Sequence, residues 1–427
     1  MMDGSPAKNQ ADSLRPFHIV VWGATGFVGK LVCEHLARDY QGEGIQWALA
    51  GRNKSKLEAV REEISAIDPS LKTLDILLGD IKDEASLDAL VSQTQVLLAT
   101  AGPFARLATP LVAACVRNGT HYCDITGEIP WVRRMIQEHH EEAERKGVAV
   151  VHCCGYDSVP SDLGAFYMAT HMKQMGKKCA SVTTLVGPAK GTFSGGTLAS
   201  LFGAFFEEPA EDRKAVADPY CLDPPNSRRG HDKADFWGVG YNRPTGKFTM
   251  PFLMQPVNTR IVRRSNALLG HAYGEEFRYS EAMEAPFVVA MLGALALFWA
   301  FLLFSIRPLH GLYRRLLPKV PGPSKELQRK GYWTHTLVAE SQEEEGVAPA
   351  VVLGRVCGQR DPGYWETSRF LLEAGLCLAL QKQDLEKSGL RRGGVLTPAS
   401  AMGSRLIARL KRAGVTFEVQ HNNSREE

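Results

Sequence analysis

The heptapeptide Gly23-Ala-Thr-Gly26-Phe-Val-Gly29 constrains this chain more than any other stretch, because of what flanks it. Before it runs FHIVVWG (17–23), a continuous apolar segment of the kind a strand shows when both faces of a parallel sheet are covered. After it the pattern predicts a helix over 27–39. The first glycine permits a tight turn, the second lets backbone approach a pyrophosphate, and the third lets helix pack on strand. The helix N-terminus adds partial positive charge. Strand, glycine turn and helix in this order imply a βαβ unit with a dinucleotide across the turn. The plainer alternative is a sharp glycine turn with no ligand.

The residues up to 155 continue the alternation. QWALAG (46–51) reads as a strand, 54–66 as a polar helix, TLDILLGD (73–80) and QVLLATAG (95–102) as strands around the short helix DEASLDALV. Thr109-Pro110 opens the helix PLVAACVRNG, with Gly119 just past its end, and GVAVVHCCG (147–155) closes the series. Strands alternating with helices at this spacing predict an α/β fold, a Rossmann-type doubly wound parallel sheet. From 156 to 284 the alternation fades. SVTTLVG (181–187) reads as a strand, GTLASLFGAFFEE as a helix and 208–247 as a polar loop, too long for a connector and so a lid, a binding loop or disorder. After 306, VPGPSKELQRKG (320–331) reads as a linker and WTHTLVAES with AVVLGRVCG as a hairpin. TSRFLLEAGLCLALQ reads as a helix, GGVLTPASAMGSRLIARLKRAG as loop then helix, and VTFEVQ as a last strand. The domains that follow are a flexible 1–16, a nucleotide-binding 17–155, a substrate-binding α+β domain over 156–284, an apolar helix over 285–306, and 320–427 completing the α+β domain, its end packing back on the first.

The cofactor residues follow from the sheet's carboxyl edge. Gly23, Thr25, Gly26, Phe27 and Gly29 form the turn. Where an NAD enzyme places an acid for the ribose 2′-OH, this chain has Arg52, followed by Lys54 and Lys56. A guanidinium forks onto a 2′-phosphate that a carboxylate would repel, so the expected cofactor is NADP(H). Asp80 stands where a carboxylate reaches the adenine amino group, or where it caps the next helix. Ala101, Gly102 and Pro103 leave room at the end of the fourth strand for the nicotinamide ribose.

Two polar clusters follow the next strands: Tyr122-Cys-Asp124 and Tyr156-Asp157-Ser158. Reduction of a carbonyl or enoyl group needs hydride, a donor for the developing anion and an acid, and Tyr122, Asp124, Tyr156 and Asp157 are the catalytic candidates. Each aspartate could instead cap a helix or hold a turn. No HExxH, GxSxG, Walker A or spaced Cys/His cluster occurs, so no metal is expected.

Composition narrows the partners. Lys+Arg 50 against Asp+Glu 47 leaves a net charge of +3, which gives no field that would select nucleic acid. Nine cysteines, odd in number and without CxxC, suggest reduced packing thiols. The N-terminal residues show neither a secretory signal nor a transit peptide, so the chain is not expected to be secreted. One stretch breaks the soluble pattern. APFVVAMLGALALFWAFLLFSI (285–306) carries no charge, and Arg307, Arg314, Arg315 and Lys319 follow it. It is apolar on every side and long enough to cross a bilayer core of ~30 Å. Three readings stand: a span, insertion into one leaflet, or a buried core helix.

GATGFVG with AGR, AGPF, PLVAACVRNG, YCDITGE and GYDSVPSDLG resembles the saccharopine dehydrogenase-like oxidoreductases, a group that includes the bacterial trans-acting enoyl reductases. Ser194-Gly-Gly-Thr197, NTRIVRRSNALLG, DPGYWETS and GGVLTPASAMG extend the resemblance over 17–420. It implies an NADP-binding domain, a second domain that binds substrate, enoyl reduction for the bacterial members, and membranes or lipid droplets for the eukaryotic ones. One departure is that Ala108-Thr109-Pro110 replaces a Gly-acid-Pro stretch. The expected function is therefore NADP(H)-dependent reduction of a lipid-derived substrate at a membrane or lipid-droplet surface. The catalytic domain would face the cytosol at a droplet, endoplasmic reticulum or mitochondrial surface, and a homodimer is compatible with it. The alternatives are an NADP-binding, lipid-associated protein without catalysis, or a saccharopine-type amino-acid dehydrogenase. The last needs arginines for a dicarboxylate, and Arg260, Arg263 and Arg264 read instead as alternate faces of one strand.

Overall fold

The computed structural model describes residues 15–191, 209–232, 235–306, 308, 323–343, 348–390 and 393–420. Among them the strands, in chain order, begin with β1 (Phe17–Trp22), β2 (Trp47–Gly51), β3 (Ile76–Leu78), β4 (Thr94–Ala99), β5 (His121–Asp124), β6 (Ala149–Val151) and β7 (Cys179–Lys190). They continue with β8 (Gly240–Asn242), β9 (Lys247–Met250), β10 (Arg278–Glu284), β11 (Tyr332–Ser341), β12 (Val351–Gly358), β13 (Gly394–Leu396) and β14 (Thr416–Gln420). The chain divides into two units. One comprises Met1–Thr126, Met135–Gly155 and Thr367–Leu396, the other Gly127–Arg134, Tyr156–Glu366 and Thr397–Glu427.

The first unit holds a sheet of order β13-β6-β5-β4-β1-β2-β3 in which every pairing is parallel. The central strand explains the run FHIVVW: Val20 faces Ala48 on one side and Leu97 on the other, and Ile19, Val20 and Val21 are fully buried. A strand with helices over both faces has no polar face to alternate with. β3 is shorter than the expected 73–80, because Pro69–Thr73 turns as a 3-10 helix under the Asp68 cap and Leu78 lies exposed at the sheet's edge. The helix Thr367–Leu380 belongs to this unit, which corrects the sequence assignment of all of 320–427 to the second domain. It packs on β1, β4 and β5, with Gly375 so close to Leu98 that an added Cβ would stand 2.5 Å from its Cδ2. Arg369 pairs with Asp39 at 2.9 Å on the helix Phe27–Asp39, and the Tyr40 hydroxyl donates to Glu373. At the chain's end β14 pairs with β12 inside the second unit. GGVL, expected as loop, supplies β13, because a short apolar run extends the sheet beside β6.

The second unit carries a mixed sheet, β14-β12-β11-β7-β10-β9-β8, in which β7 and β10 are parallel and the other neighbours antiparallel. The helix Val159–Gln174 lies on β7, β11 and β12, where Gly164 admits Leu337: a Cβ would be 3.1 Å from its Cδ2. The helix Pro398–Arg412 packs against it, capped by Thr397 and Ser400. Inside the expected linker, Ser324 caps a helix over Lys325–Lys330.

NTRIVRRSNAL is a helix, Gln255–Leu268, and not the strand the alternation suggested. Its arginines are buried and committed. Arg260 binds Asp235, Arg263 binds Asp232 and the Tyr279 carbonyl, and Arg264 donates to the Leu222 carbonyl. These bonds strap the described part of 216–235 to the helix, so that this part of the 208–247 stretch is held structure, including a helix over Ala210–Val216. They also leave no arginine of the three to hold a dicarboxylate. GTLASLFGAFFEE and the Ser194–Thr197 motif lie outside the described residues. The apolar stretch forms the helix Phe287–Phe304 with only Ala290 buried, which overturns the core-helix reading.

Beneath the sheet sits a carboxyl group. Glu281 accepts from Ser161 at 2.5 Å and from Asn258 at 2.8 Å, and burial pushes it up to about 7. Asp162 is likewise pushed up to about 7 by burial, with Ser265 at 2.5 Å and the Ala399 N–H at 2.8 Å. A carboxyl raised in the folded state binds its proton more tightly than in the unfolded chain. Its stabilisation is therefore complete below the unfolded value near 4.5 and lost as pH rises towards 7. In urea titrations between those pH values, Glu281→Gln should flatten the fall in stability by roughly 1 kcal/mol per pH unit. Asp232→Ala leaves Arg263 buried without its partner and should cost about 3–5 kcal/mol of second-unit stability in the same measurement.

Candidate functional site

Because its strands are parallel, the first sheet brings every strand's carboxyl end to one edge, and the strand order reverses between β1 and β4. That switch point is where such a sheet takes its ligand. Gly23 ends β1 with φ +81°, and a Cβ there would meet Thr100 Oγ1 at 2.9 Å. Thr100 closes the turn by donating its hydroxyl to the Trp22 carbonyl at 2.9 Å and the Gly23 carbonyl at 3.1 Å. At Gly29 a Cβ would stand 2.3 Å from the Gly23 carbonyl oxygen, so the helix Phe27–Asp39 reaches the strand only because that atom is missing. Gly26 caps this helix with no side-chain bond, and the first turn carries no acid, which leaves its N–H groups to an incoming anion. Thr25 is half-buried and Phe27 exposed beside it.

Arg52, Lys54 and Lys56 are exposed just past β2, with no carboxylate paired to any of them among the described residues. Asn53 caps the helix Lys54–Ser65 by accepting from the Lys56 N–H at 3.0 Å. Asp80 accepts from the Lys82 N–H at 3.0 Å and holds a turn, while the helix cap falls to Asp83, which accepts from the Ser86 N–H at 3.2 Å. Ala101 is half-buried and Gly102 and Pro103 are exposed after β4. A backbone cradle without Cβ atoms, beside unneutralised cations, fits a dinucleotide with a 2′-phosphate.

The four catalytic candidates fall into two pairs, one in each unit. In the first, Tyr122 and Asp124 are completely buried. Burial first, and the Asp124 charge second, push the Tyr122 phenol well above its ordinary range. Asp124 binds His152 Nδ1 at 2.8 Å and accepts the Thr126 and Cys153 N–H groups at 3.1 and 3.3 Å. Cys153 sits there at φ +61°. Asp124 thus organises the turn after β5 and β6, the structural role weighed against catalysis. The adjacent Cys153 and Cys154 are buried and in no disulfide, and burial pushes the Cys154 thiol well up.

In the second unit, the Tyr156 hydroxyl is 3.1 Å from His335 Nε2, with the rings of Trp333 and His335 edge-on to it at 5.0 and 5.6 Å. Burial lowers His335 to about 3, so the imidazole is neutral and pairs with the phenol through Nε2. Burial, reinforced by nearby acids, raises Tyr156 well above its ordinary range, so it stays a neutral phenol. Asp157 is the half-buried member, and its carbonyl accepts from Asn258 Nδ2 at 2.8 Å. Sequence reasoning passed over His335, His152 and Glu281. His335 left one trace, as a polar residue at an inward position of the alternating strand WTHTLVAES.

Comparison with known proteins bears on both units. Residues 19–151 match the saccharopine dehydrogenase NADP binding domain. Over 95% of its length and 97% of the relative's, the chain is 39% identical to a protein named as a trans-acting enoyl reductase of Mycobacterium tuberculosis (strain ATCC 25618 / H37Rv). It is 35% identical, over 94% and 97%, to the trans-acting enoyl reductase of Mycobacterium bovis (strain BCG / Pasteur 1173P2). Among solved structures, apo saccharopine dehydrogenase (L-Glu forming) from Saccharomyces cerevisiae aligns with a TM-score of 0.52 at 12% identity, covering 94% of this chain and 99% of that one, a likeness of fold. The cofactor of the glycine turn is NADP(H).

Replacing the fork by a carboxylate tests the 2′-phosphate assignment. In titrations followed by nicotinamide fluorescence, Arg52→Asp should weaken NADPH binding roughly 10- to 100-fold and leave NADH binding equal or stronger.

Proposed function

The chain belongs to the saccharopine dehydrogenase-like family that includes the trans-acting enoyl reductases, and from that premise we propose that it reduces the carbon–carbon double bond of an acyl, lipid-derived substrate at a membrane or lipid-droplet surface. The observation that carries the reading is the uncapped glycine turn at the switch point with the unpaired Arg52 beside it, a site built for a phosphorylated dinucleotide. When bound, NADPH supplies the hydride that the β-carbon of an enoyl group accepts. The chain's part is to hold the dinucleotide and to deliver a proton to the α-carbon, so that the double bond becomes a single bond. Gly23, Gly26 and Gly29 admit the pyrophosphate, and Arg52 holds the 2′-phosphate.

Tyr156 is the proton donor in this reading. It is a neutral phenol, and the neutral His335 imidazole lies 3.1 Å from its oxygen. Asp157 stands next to it, held through its backbone by Asn258 and, behind Asn258, by Glu281. The membrane setting is supported by the exposed apolar helix Phe287–Phe304, whose 18 residues have a mean hydropathy of 2.6.

The test is NADPH consumption with trans-2-enoyl thioesters of increasing chain length, and with the matching ketones. Turnover of an enoyl thioester that rises with chain length supports the proposal, and turnover of ketones alone would move the reaction to carbonyl reduction. Tight NADPH binding with no turnover of either class would leave a binding protein. Tyr156→Phe should lower kcat by about 100-fold or more while NADPH binding stays within about twofold.

A further inference from the structure

We propose that the helix Phe287–Phe304 and the β8–β9 hairpin form one docking surface for a single phospholipid leaflet, into which the helix sinks lengthwise without crossing. The inference rests on the membrane part of the reading above and is independent of the reaction.

The helix offers no stripe. Val288, Leu292, Phe298 and Trp299 are 65%, 63%, 61% and 53% exposed, and Ala290 is the one buried side chain. A protein partner covers one face of a helix and would leave the rest of this one in water. A hydrocarbon phase wets all of it.

Its first half is fixed to the sheet. The Ala285 N–H donates to the Phe248 carbonyl at 3.0 Å, and at Gly293 an added Cβ would stand 2.6 Å from Met250 Cε on β9. The rings of Phe287, Phe248 and Tyr241 follow one another at 5.0 Å spacings, so the aromatic face of the hairpin continues the apolar surface of the helix. Tyr241 is 55% exposed, and just before β8 Phe236 and Trp237 are 61% and 45% exposed. Tyrosine and tryptophan have an apolar body and a polar tip, and such rings gather at the headgroup level.

Topology decides the mode. The helix leaves from the end of β10, which pairs with β7 from Arg278↔Ser181 to Met283↔Val186. The chain re-enters at β11, which pairs with the other side of β7 from Tyr332↔Lys190 onward. Both ends of the excursion therefore attach to one sheet on one side of any membrane. If the helix crossed, the following residues would have to cross back. That stretch of sequence holds Arg307, Arg314, Arg315 and Lys319 and no second apolar run of spanning length. With the strands before and after it in one sheet and no second run of spanning length in the sequence between, a helix lying along the interface fits and a crossing helix does not.

The experiment uses the full chain and vesicles of phosphatidylcholine with about one-fifth phosphatidylserine. Wild-type protein should float with the vesicles, and the variant Leu292→Asp/Leu295→Asp/Phe298→Asp should partition at least about tenfold less while keeping its circular dichroism and its NADPH affinity. The depth of Trp299 is read as the fluorescence difference between wild type and Trp299→Phe. It should be quenched more by lipids brominated near the headgroup than by lipids brominated at the chain end. Quenching strongest at the chain end would overturn the one-leaflet mode and leave membrane binding intact. Absence of flotation, or a lipid-free dimer in which Trp299 is shielded, would overturn the lipid surface while leaving the enoyl reductase reading to its own assay. Flotation without turnover in that assay would do the reverse.

Discussion

A missing methyl group holds the first unit together. At Gly29 the helix Phe27–Asp39 comes so near β1 that a Cβ would sit 2.3 Å from the Gly23 carbonyl. This contact fixes where the helix N-terminus points, at the sheet edge where a dinucleotide's phosphates would be received. Parallel pairing does the rest, since it brings the residues after β1, β2 and β4 to one edge although they are far apart in sequence. The Thr100 hydroxyl, bonded to both Trp22 and Gly23, couples the two strands that flank the switch point.

The second unit rests on a different balance. Its central helix, Gln255–Leu268, buries three arginines, which is tolerable only because each finds carboxylates or carbonyls in the segment 216–235. The same helix supplies Asn258 to Glu281 and Ser265 to Asp162, two carboxyl groups that burial holds near neutrality. One helix therefore secures a long polar segment on one side and a buried acid network on the other. Asp157 is tied to that network through Asn258, so the backbone beside Tyr156 is placed by groups well below it. The unit also tolerates an apolar helix in the open because Gly293 and Met250 seat it on β9.

Much of this was legible in the chain. The glycine spacing and the apolar run before it specify the turn, the parallel sheet and the phosphate cradle, because backbone sterics leave few ways to place three glycines between a strand and a helix. Arg52 in place of an acid points to NADP(H), the cofactor of the matched family domain, because a guanidinium and a carboxylate act oppositely on a 2′-phosphate. The 22 uncharged residues from 285 specify a helix that water does not cover well.

Other features could not be read from neighbours in sequence. Arg260, Arg263 and Arg264 look like strand alternation until the helical spacing is seen to bury them, and their partners lie at 216–235. The pairing of Asp124 with His152, and of Tyr156 with His335 across 179 positions, depends on strand register, which local pattern does not encode. The helix Thr367–Leu380 joins the first unit through contacts such as Gly375 with Leu98, decided by shape. Sequence by itself determined the glycine turn, the basic residues beside it and the existence of the apolar helix, since each depends on local sterics, local charge or local hydropathy. The tertiary structure alone decided that Asp124 pairs with His152, which tyrosine has a histidine partner, and that the strands before and after the apolar helix lie in one sheet, because each is a matter of which distant strands become neighbours.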